Sequence, residues 1–163
     1  MADPSGAIVE SNEGNNTAIR EVVVNAADKP DLQLKAEDIV ITPVSPREGD
    51  TLTLIASILN RGSQTGNIKV AVYDGNPAAG GIRRGETTIP QVLANGSSAN
   101  VSFTLDTIGL TGSHTLYVNI DPDNAITESD ETNNQAPRTV SIVPAGLTVA
   151  LSPIRPATAP TNR

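Results

Sequence analysis

Five carboxylates fall within the fourteen residues of the stretch DPDNAITESDETNN: Asp121, Asp123, Glu128, Asp130 and Glu131. A hard divalent cation takes six to eight oxygens, so calcium held across Asp121–Glu131, with Asn124 as a neutral donor, is one chemistry this run could perform. The spacing is not that of an EF-hand. Ile126 stands at the sixth position, where that loop needs glycine, and Glu131 comes one residue too early for the closing glutamate. The other reading is a turn. Asp and Asn side chains accept from backbone N–H groups two or three residues on, and Asn tolerates left-handed backbone.

A second copy of the run discriminates between the two readings. Residues 3–24, DPSGAIVESNEGNNTAIREVVV, agree with residues 121–142 at twelve of twenty-two positions, an offset of 118. The copy keeps Asp3, Pro4, Ile8, Glu10, Glu13, Asn15 and Asn16, but Ser5, Gly6 and Asn12 replace Asp123, Asn124 and Asp130. Losing two carboxylates argues against a cage that every unit needs. The set both copies keep suits a loop connecting strands, expected to be solvated and metal-free, with extended chain spreading its acids on both sides where water and salt screen them.

Other constellations are thin. His114 is the only histidine, its neighbour Ser113 would point to the opposite face of a strand, and no G-x-S-x-G elbow occurs. The three aromatic residues, Tyr73, Phe103 and Tyr117, supply a sugar platform poorly. DGNPAAGGIRRGE lacks the lysine and helix of a phosphate loop and reads as a flexible rim loop. Asn60-Arg61-Gly62 reads as a turn former, and Asn95-Gly96 as a two-residue hairpin turn. Sequons at Asn15, Asn95 and Asn100 would matter only in a glycosylating host. No residue is therefore assigned a catalytic, cofactor-binding or metal role; calcium at Asp121–Glu131 is the alternative.

Composition narrows the partners. A net charge of −7 with scattered basic residues argues against nucleic acid, and no apolar run is long enough for membrane insertion. The chain has no cysteine, which removes disulfides and thiolate chemistry. With so few aromatics, the core must be aliphatic.

The elements that would carry these loops alternate at period two. Leu52, Leu54, Ala56 and Ile58 share one face of TLTLIASILN. The same pattern recurs at Ile39 and Ile41, at Ile68, Val70 and Val72, at Val101, Phe103 and Leu105, at Leu116, Val118 and Ile120, and at Val140 and Ile142, with a shorter strand in RRGETTI. Glycine-, proline- and asparagine-rich turns separate them and no helical stripe appears. Seven strands in this length predict an all-β, Ig-like, seven-stranded antiparallel β-sandwich without the Cys and Trp signature of antibody domains. The repeat divides the chain into 1–28, the end of a preceding unit plus linker, 29–145, a complete unit, and 146–163, the start of another unit or a Pro-rich tail, where Leu147 and Val149 echo Leu32 and Leu34. On that division, TAIREVVV is an orphan last strand, and residues 1–27 either fray or pair with a strand edge.

PDL, PVSPREGDTLTLIASILNRG, VAVYDG, LANGSSANVSFTL and GSHTLYVNIDPDNAITESDETNN together resemble the CARDB domain, a cell-adhesion-related module repeated in bacterial and archaeal surface proteins. The resemblance implies a seven-stranded sandwich, an extracellular or cell-surface setting, neighbouring repeats as partners, and a non-enzymatic structural or adhesive role in a tandem array. Two alternatives stand beside it: a module binding a surface protein or polysaccharide, with or without calcium, and an accessory domain of a secreted hydrolase.

Overall fold

The computed structural model describes residues 7–12, 19–22, 28–91 and 93–146. Eight strands run in chain order: β1 (Leu32–Gln33), β2 (Ile39–Thr42), β3 (Thr51–Asn60), β4 (Ile68–Asp74), β5 (Ile82–Ile89), β6 (Ser98–Asp106), β7 (Gly112–Ile120) and β8 (Gln135–Ile142). They form two antiparallel sheets. In the first, β3 pairs with β1 and β2 along one edge and with β6 along the other; the second has the order β5-β4-β7-β8.

The count is eight rather than seven because β1 was not legible as a separate strand. Leu32 and Gln33 pair with Asn60 and Leu59, and then a 3-10 turn at Ala36–Asp38 interrupts the edge before β2 resumes against Ala56. Asp38 causes the break: its carboxylate accepts the Lys35 N–H at 3.1 Å, a local bond that competes with the ladder. Among the described residues, helix is limited to this turn and a second at Pro77–Ala79.

The period-two pattern holds. Leu52, Leu54, Ala56, Ile58, Val70, Val72, Phe103, Val118, Val140 and Ile142 all lie in the buried core between the sheets. Burial of aliphatic area at about 25 cal/mol per Å² is what drives the two layers together.

Three loop expectations are corrected. Asn95-Gly96 does not close a hairpin, because β5 and β6 belong to different sheets; it forms the turn in which Ser97 N–H bonds Ala94 O at 3.0 Å, on the crossing between them. DGNPAAGG is an ordered turn rather than a flexible rim. Asn76 Oδ1 accepts the Ala78 N–H at 2.9 Å, and a Cβ on Gly81 would lie 2.3 Å from the Gly75 carbonyl oxygen. Asn60 is no ordinary turn former but is fully buried at the end of β3. Its amide nitrogen donates to Ser63 O (2.7 Å) and Leu93 O (2.8 Å), while its Oδ1 accepts from Asp31 N–H (3.1 Å) and Gly62 N–H (3.0 Å).

Of the orphan strand TAIREVVV, residues 19–22 carry no strand assignment and are exposed, with Ile19 at 93% and Val22 at 73%. Thr17, Ala18, Val23 and Val24 lie outside the described residues, as do Asn15, Leu147 and Val149.

Asn60→Ala strands several buried backbone partners at once, each costing about 1–3 kcal/mol when left unpaired. Urea denaturation is expected to show a loss on the order of 3 kcal/mol with an unchanged m-value.

Candidate functional site

The acidic stretch spans the β7–β8 connection, and the structure draws part of it inward while Asp123, Asp130 and Glu131 stay exposed. Glu128 is 3% exposed, Asp121 6% and Asn134 7%. Asp121, with φ at +45°, and Asn124, with φ at +51°, reverse the chain at the end of β7. Asp121 Oδ2 then accepts the Ile126 N–H at 2.7 Å, which brings Ile126 against the core. The expected extended chain does not form, because the chain turns and buries Asp121 and Glu128, while the other three acids are exposed.

Glu128 is the centre of what results. One carboxylate oxygen accepts the N–H of Leu32 in β1, ninety-six residues away in sequence, and the other accepts Asn134 Nδ2 at 2.9 Å. Around it, Glu131 Oε1 accepts the Glu128 N–H (2.8 Å), Ser129 N–H reaches Pro30 O (2.9 Å), Asn133 Nδ2 donates to Asp31 (2.8 Å) and Asn133 O accepts Leu34 N–H (3.1 Å). The loop is thus a latch that fastens the entering chain, residues 30–34, to the second sheet. The amide oxygens of Asn133 and Asn134 are buried without a protein partner.

Burial pushes the Glu128 carboxyl up to about 7, and the like charges of Glu131 and Asp121 add to the shift, against the lowering effect of its bonds to Leu32 and Asn134. The exposed acids behave oppositely. Lys69 holds Asp123 below its ordinary value, and bonds from Thr132 do the same for Asp130.

The carboxylates of the run are held by contacts within the chain. Asp121, Glu128, Glu131, Asp130 and Asp123 each already accept from backbone N–H groups or side chains of this chain. Among the described residues no group of three or more His, Cys, Asp or Glu could hold a metal ion.

A second cluster lies at the opposite end of the sandwich, unread from the sequence. Asp74 accepts from Arg84 Nη2 at 2.9 Å and faces His114 Nδ1 at 3.0 Å, at the rim of a cavity of about 200 Å³ floored by Leu52, Leu105, Leu116 and Ile142. This is a histidine–carboxylate pair, with Thr104 the hydroxyl-bearing residue in the cavity lining. Ser113, paired with Ser141, is exposed and points away. Only the strand register brings residues 74, 84 and 114 together, so no local motif could have announced them.

The CARDB family model matches residues 29–138. The chain belongs to the CARDB family. It is similar to the CARDB domain of a Pyrococcus furiosus protein, solved in complex with di-metal ions, at 21% identity over 74% of this chain and 100% of that one, with a TM-score of 0.60. A domain of a protein named as a cell-surface protein from Methanosarcina acetivorans matches at 30% identity over 71% of this chain and 93% of that one, with a TM-score of 0.56. No curated protein matches the chain. The fold of this CARDB domain is accordingly the one its relatives share.

Two outcomes are expected of the latch. A carboxyl whose value is raised on folding contributes stability that is fully present below its unfolded value of 4.5 and is lost as pH rises through about 7. The melting temperature should fall by several degrees between pH 5 and pH 8, and Glu128→Gln should flatten most of that slope, read by circular dichroism. In the same assay, millimolar calcium should leave the melting temperature unchanged to within about 1 °C, since a cation stabilises a fold only by binding it.

Proposed function

We propose that this CARDB domain is a non-enzymatic, extracellular adhesion-related module, built to serve as one spacer unit of a tandem array. The observation that carries the array reading is which residues the second copy keeps. Asp121, Ile126, Glu128, Glu131, Asn133 and Asn134, the residues that build the latch, correspond to Asp3, Ile8, Glu10, Glu13, Asn15 and Asn16.

The replaced positions fit the same logic. Asn124, at φ +51°, gives way to Gly6, the residue for which left-handed backbone costs least. Asp130, which accepts the Thr132 N–H, gives way to Asn12, whose side chain can accept likewise. Asp123, exposed and paired with Lys69, gives way to Ser5. A pattern of substitution that preserves every latch residue is what a second folded unit of the same kind requires.

The surface setting is supported by the relative from M. acetivorans, a protein named for the cell surface. The non-enzymatic reading is supported by membership of the CARDB family. On this reading, 29–145 is one self-sufficient unit, with neighbouring repeats as its partners.

A spacer must fold without its neighbours. A fragment of residues 28–146 should unfold in one cooperative transition, with a melting temperature within about 2 °C of the full chain. A fragment that is unfolded, or melts far lower, would sink the independent-unit reading.

A further inference from the structure

We propose that the outer face of the second sheet binds a neutral polysaccharide through a ledge made by Tyr73 and Tyr117. Two of the three aromatic residues in the chain meet there. Tyr73 on β4 is the register partner of Tyr117 on β7, which places cross-strand Cβ atoms about 5 Å apart. The row continues to Arg83 on β5 at one side and Pro137 on β8 at the other.

Alternation fixes which way the row faces. Val70, Val72, Leu116 and Val118 are buried in the core, so Tyr73 and Tyr117, at odd positions between them, lie on the outer side, where both are partly exposed. Neither tyrosine hydroxyl makes a hydrogen bond to another described residue. The ledge is therefore built of broad, rigid rings with free hydroxyls, which offer large amphipathic contact area at low entropic cost.

The surroundings select the ligand. The two charged pairs on this face, Arg83 with Glu86 and Lys69 with Asp123, are each internally neutralised, and Thr115, Asn119 and Thr139 supply uncharged hydrogen-bonding groups. The chain as a whole carries −7, which disfavours an anionic glycan. A protein partner wants on the order of 1,000 Å² with an apolar centre, more than two tyrosines and a proline ringed by polar groups provide. A neutral sugar chain, with apolar C–H faces to lie on the rings and hydroxyls for the surrounding groups, matches both halves of the surface.

The inference names a partner for the adhesive part of the extracellular reading and rests on it, while leaving the independent folding of the unit untouched. The test is native electrophoresis of the full chain through gels carrying soluble β-glucan, xylan, galactomannan or dextran, with alginate as the anionic comparison. Retardation is expected in at least one neutral gel. Tyr73→Leu and Tyr117→Leu should each weaken it about tenfold, the scale of one truncated hot-spot side chain, while Tyr117→Phe retains it. Circular dichroism melting of each variant separates lost stacking from lost fold, since leucine keeps the strand apolar. Unchanged mobility in every neutral gel, retardation that survives the double leucine variant, retardation by alginate alone, or loss in those variants of binding to a protein instead would each overturn the proposal.

Discussion

A chain that passes between the two sheets of a sandwich has to leave its hydrogen-bond ladders at every crossing, and the polar backbone it strands there must be satisfied inside a protein rather than by water. At the entry end of this module two buried side chains meet that demand. Asn60 uses both its oxygen and its nitrogen to tie residues 31, 62, 63 and 93, and Glu128 ties β1 to the β7–β8 connection. At the other end Thr107, fully buried, donates one hydroxyl towards both Arg47 O and Asp50 O. These contacts matter more than their number suggests, because a buried polar group without a partner costs far more than a satisfied one contributes.

Placing a carboxyl at this point has an electrostatic consequence. Asp121 and Glu131 flank Glu128 and both act to raise it, with burial the largest cause. The group is thus tuned to carry its proton in mildly acidic conditions, where the repulsion apparent from the crowded sequence is reduced by one charge. The remaining acids of the run sit outside, paired with Lys69 or bonded to Thr132. One loop therefore separates its carboxylates by environment, inner ones structural and outer ones solvated, although the sequence presents them as a single crowd.

What could be read from the sequence follows from the range of the physics involved. Period-two alternation is local, so the inward residues of TLTLIASILN and SANVSFTL were legible and are buried as expected. The two residues of β1 were too few to show any period, and the turn after them depends on one side-chain bond at Asp38. Glu128 was legible as a repeated residue but not as a buried one, since its partner Leu32 lies ninety-six positions away. The tyrosine pair was hidden for the same reason. Composition counted three aromatics, while only the register of β4 against β7 reveals that two of them adjoin.

The flank of that tyrosine row is set by an irregularity in β5. Between Val72 and Tyr73 the pairing shifts, so that Val72 faces Gly85 and Tyr73 faces Arg83, leaving Arg84 as an extra residue. A bulge of this kind re-aims side chains. Arg84 turns towards Asp74 at the cavity rim, and Arg83 lies beside Tyr73 and pairs with Glu86 on the outer face. Without the extra residue, the strand beyond Gly85 would slip by one and its arginines would exchange faces. Asp74 would then face Arg83 in place of Arg84, and the outer row would carry Arg84 in place of the Arg83–Glu86 pair. The inner cluster and the tyrosine face are consequently two results of one backbone feature, and neither can be altered by shifting β5 without disturbing the other.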